Sequence, residues 1–196
     1  MNGVATGNMN DTKQRLMNVT RQMIDNGGID TVSMREIGKK MQLSRSAVYR
    51  HFKNKEDLLA AIVVENFEVL RKSISNLIKE TDDPVKIVES ILNNYYDFGL
   101  KNRDHYRLMF GREWNKEQYP VVYAAAFKTF DTVVTFLAKA QEQKCIIGKP
   151  TKELTAMVYA FIHGLIELKF AGHEEPEKGL NDPHSLISSF LDMIQV

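Results

Sequence analysis

Apolar residues recur every three to four positions along most of this chain, in stretches separated by short polar turns. This spacing places them on one face of a helix, whereas the alternation typical of half-buried strands is weak. The first stretch runs from Lys13 to Ile24 and ends at Asn26-Gly27-Gly28, residues that tolerate the left-handed backbone found at helix ends. The pattern predicts an all-α protein.

Polar capping residues mark three further helix starts in the first sixty positions. Ser33 and Glu36 have the spacing of a capping box, in which each side chain accepts a hydrogen bond from the other residue's backbone amide. Ser44 is expected to cap a short third helix. Asn54 is expected to cap a long fourth helix, which continues through Ile78 and is broken by Thr81-Asp82-Asp83-Pro84.

Beyond Pro84 the same periodicity predicts more helices, about nine in the whole chain. Their expected bounds are Val85 to about Leu100, Arg103 to Phe110, about Pro120 to Lys144, Thr151 to about Ala171, and Asp182 or His184 to Ile194. Thr151 is expected to cap its helix. We predict a disordered lead-in at 1–11, a three-helix head at 12–58 and a larger helical domain at 59–196.

Charge is unevenly distributed, although the formal net charge is only +1. Residues 1–60 hold ten Lys and Arg against six Asp and Glu, so this segment carries +4 and the remainder −3. A basic head on a mildly acidic body suits a polyanionic partner at one end, although a solvated surface also explains a small excess.

Cysteine content and apolar runs limit the function classes. Cys145 is the only cysteine, which excludes an intramolecular disulfide and a cysteine-based zinc site and favours a reducing cytoplasm. The first ten residues lack the basic and apolar regions of a secretory signal. No uninterrupted apolar run approaches the roughly 18 residues of a membrane span, so no membrane partner is expected.

The third predicted helix carries the residue types needed to read DNA. Helix-turn-helix units of three helices insert their last short helix into the major groove. Arg45 and Ser46 are placed to reach base edges. Tyr49, His51 and Lys55 are placed to reach phosphates.

These residues lie within a pattern that resembles a known family. Thr31–Lys40, Leu43-Ser44 and Tyr49–Leu59 resemble, in order and spacing, the DNA-binding signature of TetR-family transcriptional regulators, over about residues 12–60. The resemblance implies an all-helical homodimer whose larger C-terminal domain binds a small-molecule inducer. By position, the DNA contacts it implies are Ser33, Ser44, Arg45, Ser46, Tyr49, His51 and Lys55.

Two residues depart from the family pattern. Gly38 stands where the family usually has Ala, and Gln42 stands in the turn where it usually has Gly. If Gln42 adopts a left-handed backbone, the cost is about 1 kcal/mol. The departures loosen the turn without changing the interpretation.

Structural interpretations of the same residues remain open. Tyr49 could be a half-buried core tyrosine, and His51 could hold the junction between helices. Lys55 lies at a helix start, which disfavours a cation, and a bound phosphate there would explain it. Ser33 is a helix cap in either interpretation.

The C-terminal part resembles the family more weakly. His105–Phe110 and Ala160–Ile166 resemble one subgroup, although that subgroup often has Trp where this chain has Ile162. Aromatic and Met residues are frequent between Tyr95 and Phe170, and most are expected in the core. A cavity among these helices would be mostly apolar with a few polar groups. The candidate pocket residues are Tyr95, Tyr123, Tyr159 and His163 as polar contacts and Met109, Phe110 and Trp114 as walls.

His163 could equally be a hydrogen-bonded core histidine.

We expect the homodimer to form through the last two helices, because apolar residues surround the first of them too widely for one buried face. Those residues are Leu154, Met157, Val158, Phe161, Ile162, Leu165, Ile166 and Leu168, with a second stripe at Leu186, Ile187, Phe190, Leu191 and Ile194. A larger monomer core is the alternative.

We therefore predict a cytoplasmic, operator-binding regulator, a repressor released by a small apolar or aromatic ligand. It would need no cofactor or metal. The first alternative is a DNA-binding regulator that a protein partner controls. An enzyme is the second, but the five histidines lack metal-ligand spacing, and no phosphate loop, nucleophile elbow or carboxylate pair is present.

Overall fold

The computed structural model describes residues 9–77 and 82–196, which contain nine α-helices and no β-strand. The helices are α1 Met9–Gly27, α2 Met34–Lys40, α3 Arg45–Tyr49, α4 Lys55–Leu77, α5 Pro84–Lys101, α6 Arg103–Phe110, α7 Pro120–Glu142, α8 Thr151–Phe170 and α9 Pro183–Ile194. Short 3₁₀ turns form at Ile29–Thr31 and Pro176–Lys178. The all-α prediction is confirmed.

Helix starts differ from the sequence predictions at three points. α1 begins at Met9, so residues 9–11 belong to a helix and not to a lead-in. α5 begins at Pro84, whose ring fits the first turn and whose preceding Asp83 accepts from the amides of Val85 and Lys86 at 3.0 and 3.3 Å.

Thr151 does not cap α8. Pro150 precedes the helix, and Thr151, its first residue, donates its hydroxyl to Gln141 Oε1 at 2.6 Å. The predicted positions of Ile78 in α4 and Thr81 in the following break lie outside the described residues.

The chain forms two compact units. The first unit comprises the described residues up to Asn66 together with Asp104–Tyr123, and the second comprises Phe67–Arg103 and Ala124–Val196. The first unit is larger than the predicted head because α4 up to Asn66, most of α6 and the segment after α6 belong to it. Arg112 in that segment donates to Glu56 at the start of α4 at 2.6 Å, and Trp114 Nε1 donates to the Leu108 carbonyl at 3.0 Å.

The core of the second unit lies between α5, α8 and α9. Their buried apolar residues include Ile91 and Leu92 of α5, Ile162 and Ile166 of α8, and Ile187 and Leu191 of α9. A Cβ on Gly99 would lie 2.9 Å from Ile166 Cδ1, so the glycine permits the close approach of α5 to α8.

α7 is apolar and long enough to cross a membrane by length and composition alone. Lys128 and Asp131 lie near its middle, where charges are costly in a bilayer. Its Val122, Thr129 and Leu137 are buried within the protein. The same helix exposes apolar side chains at Val121 and Phe127.

Candidate nucleic-acid interface

The turn between α2 and α3 is built by local hydrogen bonds. Ser33 Oγ accepts from the Glu36 amide at 3.1 Å, which confirms Ser33 as the cap of α2. Gln42 has φ 55° and therefore adopts the left-handed backbone that was considered for this position from the sequence. The Leu43 amide then donates to the Gly38 carbonyl at 2.9 Å and closes the turn.

Gly38 lies where the turn crosses α2. A Cβ at this position would be 3.3 Å from both the Leu43 carbonyl oxygen and Val48 Cγ2. These contacts are tighter than ordinary van der Waals packing, so an alanine here would push the neighbouring groups apart by a few tenths of an ångström. The glycine therefore fits the turn of this chain closely.

Helix α3 separates into a buried and an exposed side. Ala47 and Val48 are buried, and Phe52 is buried just beyond the helix. The exposed residues around these anchors are Ser44, Arg45, Ser46, Tyr49 and Arg50. A short helix held by apolar contacts thus presents small polar and basic side chains outward.

Arg45 and Tyr49 interact across one turn of α3. The Arg45 guanidinium carbon lies 5.4 Å from the Tyr49 ring centroid, within the range of a cation–π contact. Tyr49 is 39% exposed, so part of its ring is open to solvent while the rest is covered, and both interpretations of this residue stay open. The ring lies where it can orient the arginine along the outer side of the helix.

Ser44 caps α3, and Ser46 lies beside it. Ser44 Oγ accepts from the Ala47 amide at 3.3 Å and lies 3.1 Å from Ser46 Oγ. Replacing such a cap with alanine costs about 1 kcal/mol. A Ser44 variant therefore changes helix stability as well as any contact to DNA.

Lys55 and His51 differ in their surroundings. Lys55 Nζ donates to the Ile29 carbonyl at 3.0 Å, which ties the start of α4 to the 3₁₀ turn before α2. This bond gives Lys55 a structural role that the sequence did not reveal, and two of its three donors remain for a phosphate. His51 is half-buried, and its side chain has no hydrogen bond within the described residues.

Sequence reasoning did not single out several exposed cations of the head. They form no ion pair within residues 9–77 and 82–196, so their charge is not neutralised inside the chain. Unpaired cations near the recognition helix suit phosphate contacts. The residues are Arg35, Lys39, Lys40, Arg50 and Lys53.

The predicted pocket residues fall into two groups. Tyr95, Tyr159 and His163 meet in the second unit, where Tyr95 Oη lies 2.9 Å from His163 Nε2. The Tyr159 and His163 ring centroids are 4.1 Å apart, and Phe130 packs edge-on against Tyr159 at 5.8 Å. We call Tyr95, Phe130, Tyr159 and His163 the aromatic cluster.

Burial sets the ionisation of the aromatic cluster. It lowers the pKa of His163 to about 4 and raises the pKa of Tyr159. Both side chains are therefore uncharged near neutral pH, and they offer hydrogen-bonding groups without charge.

The other four candidates lie in the first unit. Met109 is buried, and the Phe110 ring packs on Tyr106 at 4.9 Å. Trp114 packs edge-on against Tyr119 at 5.3 Å, and Tyr123 is exposed. The seven residues are thus not assembled within one unit.

One described cavity, of about 270 Å³, lies in the first unit among α1, the 3₁₀ turn and α2. Its lining contains none of the predicted pocket residues. The lining residues are Val19, Gln22, Met23, Asn26, Gly27, Thr31 and Lys40.

Two family models match this chain. Residues 16–62 match "Bacterial regulatory proteins, tetR family", and residues 88–193 match "Tetracyclin repressor-like, C-terminal domain". The second match alone spans more than half of the chain. The protein belongs to the TetR family. It is therefore a helix-turn-helix transcriptional regulator, as the resemblance implied.

Solved structures share the fold of this chain. A protein of unknown function from Rhodococcus sp. RHA1 is 18% identical, with full coverage of both chains and a TM-score of 0.84. A TetR-family regulator from Pectobacterium atrosepticum is 16% identical over 98% of both chains, with a TM-score of 0.77. At this identity the similarity establishes the fold alone.

The curated match is shorter. An HTH-type transcriptional regulator of Staphylococcus aureus (strain USA300) is 20% identical over 93 residues, which is 47% of this chain and 50% of that protein. The chain thus spans about half the length of the curated relatives it matches.

Proposed function

We propose that this TetR-family protein is a homodimeric repressor that binds operator DNA through α3 and is released by a small uncharged aromatic or apolar ligand. The outward side of α3 carries the proposal. Its buried anchors, Ala47 and Val48, leave Arg45 and Ser46 exposed at the helix N-terminus. Residues there contact base edges in helix-turn-helix proteins.

Base and phosphate contacts fall to different residues in this proposal. Arg45 can donate two hydrogen bonds to one guanine edge, which is worth about 1–3 kcal/mol of discrimination. Ser33, Tyr49, His51 and Lys55 contact phosphates, which add affinity without sequence preference. The modest positive charge of the head makes binding salt-sensitive.

The outward side of α8 and α9 supports a homodimer. Leu154, Val158, Ile162, Leu165 and Ile166, five of the eight predicted residues of α8, are buried in the second unit. Met157 and Leu168 remain exposed, and Phe161 stacks on Phe190 of α9 at 4.4 Å. A Cβ on Gly164 would meet no atom within 4 Å, so a second copy has room to approach the α8 backbone.

Two copies packed through this side would present two α3 helices. Successive major grooves on one face of DNA are about 34 Å apart, so the two α3 helices would read half-sites with that spacing. Each copy alone carries few base contacts, and the dimer doubles them.

The aromatic cluster supports an uncharged ligand. His163 is neutral at physiological pH because its pKa lies at about 4, so the cluster offers no charge to an anionic or cationic partner. Its rings would pack against an aromatic or apolar molecule, and its hydroxyl and imidazole groups would orient it. A ligand that prefers a conformation unable to bind DNA lowers operator affinity by its differential affinity.

Two experiments test the proposal. Selection of DNA from a random library, followed by footprinting, would yield a palindromic site protected by a dimer, and binding without sequence preference would contradict it. Adding a panel of neutral aromatic compounds to that complex would release the DNA, and a complex that no compound releases would contradict the ligand part of the proposal.

The alternative is a regulator controlled by a protein partner. It predicts operator binding that no compound in the panel alters and that the partner protein abolishes. An enzyme would turn over a substrate in the absence of DNA.

A further inference from the structure

His105 of α6 is a buried histidine with both ring nitrogens engaged. The residue is 7% exposed, and its Nδ1 lies 3.0 Å from Asn66 Nδ2 of α4. Its Nε2 lies 3.1 Å from Asp25 Oδ1 of α1. One imidazole thus joins three helices of the first unit.

The partners define the direction of each hydrogen bond. The Asn66 amide nitrogen can only donate, so His105 Nδ1 accepts and Nε2 carries the proton that is donated to Asp25. Asn66 is itself buried, at 9% exposure, so loss of the imidazole would leave its amide donor without a partner. The Asp25 side chain is 60% exposed.

The same helices carry a second polar link. Arg21 of α1 pairs with Glu65 of α4, and the Asp25 charge acts on Arg21. Asn66 and His105 also lie next to the two points where the chain passes between the compact units, after residue 66 and before residue 104. The hydrogen bond between them ties these two chain segments together within the first unit.

We propose that His105 is a positioning residue for DNA binding. Through Asn66 and Asp25 it fixes α1 relative to α4, the helices that precede and follow the α2–α3 pair in the chain. The placement of α3 against DNA depends on this arrangement, although His105 itself lies outside the proposed contact residues. The inference rests on the proposed role of α3.

The test uses the full-length protein and a DNA duplex selected by the wild type from a random library. His105→Leu is expected to weaken binding of that duplex about tenfold, equivalent to about 1.4 kcal/mol. Binding of a random duplex should stay within about twofold, because binding without sequence preference depends mainly on charge and does not need α3 in one fixed position in the groove. His184→Leu is the matched control, since His184 bonds Asn93 in the second unit, and it should bind both duplexes like the wild type.

Substitutions of Asp25 separate positioning from simple loss of stability. Asp25→Asn keeps an oxygen that accepts from Nε2 and should retain operator affinity, whereas Asp25→Ala should weaken it several-fold. Combining Asp25→Ala with His105→Leu should weaken binding no further than His105→Leu alone. Circular dichroism at the assay temperature confirms that each variant is folded, and Asp25→Ala, altered at an exposed side chain, carries the test if His105→Leu does not fold.

Three results would overturn the proposal: wild-type operator affinity in His105→Leu and Asp25→Ala, equal losses on operator and random DNA, or effects that multiply in the double variant. The variant Arg45→Ala distinguishes failure of the positioning role of His105 from failure of the proposed role of α3. If Arg45→Ala loses operator preference and His105→Leu does not, only the positioning role fails. If Arg45→Ala keeps operator preference, the assignment of α3 fails instead.

Discussion

The recognition helix α3 and the aromatic cluster of the second unit are built in opposite ways. The outward residues of α3 come from a few consecutive positions, are exposed, and include cations without an ionic partner in the described chain. The aromatic cluster joins Tyr95 and His163, 68 residues apart, in a partly buried and uncharged environment. The first arrangement suits a large anionic partner, and the second suits a small neutral one.

The largest expected effect comes from a substitution on the exposed side of α8. This side belongs neither to α3 nor to the aromatic cluster. Met157→Arg places a charge on a residue that is 52% exposed in the single chain, so the monomer should fold. In the proposed dimer the charge would be buried without a partner, which is strongly unfavourable. We expect the dimer dissociation constant to rise by about a hundredfold or more, as measured by analytical ultracentrifugation.

Val69→Arg is the control for this variant, because Val69 is 59% exposed on α4, outside the proposed dimer side. It should remain dimeric. A dimeric Met157→Arg protein with unchanged operator affinity would remove α8 from the interface.

The uncharged state of the aromatic cluster predicts a pH dependence of stability. The folded-state pKa of His163, about 4, lies below the ordinary value near 6.5. The unfolded chain therefore binds a proton in this range that the folded chain does not, and stability is present above about pH 6.5 and lost as pH falls towards 4. The loss from this group is at most about 3 kcal/mol.

Urea unfolding at pH 7 and pH 4.5 measures this effect. His163→Gln, which can still bond Tyr95, should lose less stability between the two pH values than the wild type. Equal losses would mean that His163 titrates normally and that the cluster is not as dry as its geometry implies.

Replacing Lys55 tests whether the head uses its charge on phosphates. Lys55→Ala should weaken binding to operator and random DNA alike, by about tenfold at low salt, and reduce the salt slope by about one. It should also lower the melting temperature, since Lys55 loses its bond to the Ile29 carbonyl. Lys101→Ala, at an exposed lysine of the second unit, is the control and should change neither DNA affinity nor the melting temperature. If Lys55→Ala leaves the salt slope unchanged, Lys55 contacts no phosphate and has only its structural role.

The smallest expected effect comes from two substitutions of Tyr49 that test its hydroxyl and its ring separately. Tyr49→Phe removes the hydroxyl and should weaken binding to all DNA by about twofold, which corresponds to one weak phosphate contact. Tyr49→Ala also removes the ring beneath Arg45 and should cost further affinity on operator alone. Identical affinities for the two variants on operator would show that the ring does not orient Arg45.

Local signals in the sequence were sufficient for the caps and the turn of the head. The caps at Ser33 and Ser44 and the left-handed Gln42 each depend on residues within a few positions, so the sequence pattern contains them. Asp83 was missed because Pro84 was interpreted as the end of one helix, whereas its fixed φ also starts the next.

Long-range contacts could not be derived in the same way. The sequence analysis grouped Tyr95 with His163, which lie within hydrogen-bonding distance in the structure, but it also added Met109 and Trp114, which lie in the first unit. The pocket itself stays a prediction. Periodicity identifies the buried side of each helix but not the helix it packs against. For the same reason nothing in the sequence connected His105 with Asp25, 80 residues away.

The central claim is that α3 reads operator sequence chiefly through Arg45, and one pair of binding curves tests it most directly. Fluorescence anisotropy would compare wild type and Arg45→Ala on the selected operator and on a random duplex, over a range of salt concentrations. We expect Arg45→Ala to lose about 1–3 kcal/mol on operator and almost nothing on random DNA. Equal losses on the two duplexes would contradict the account.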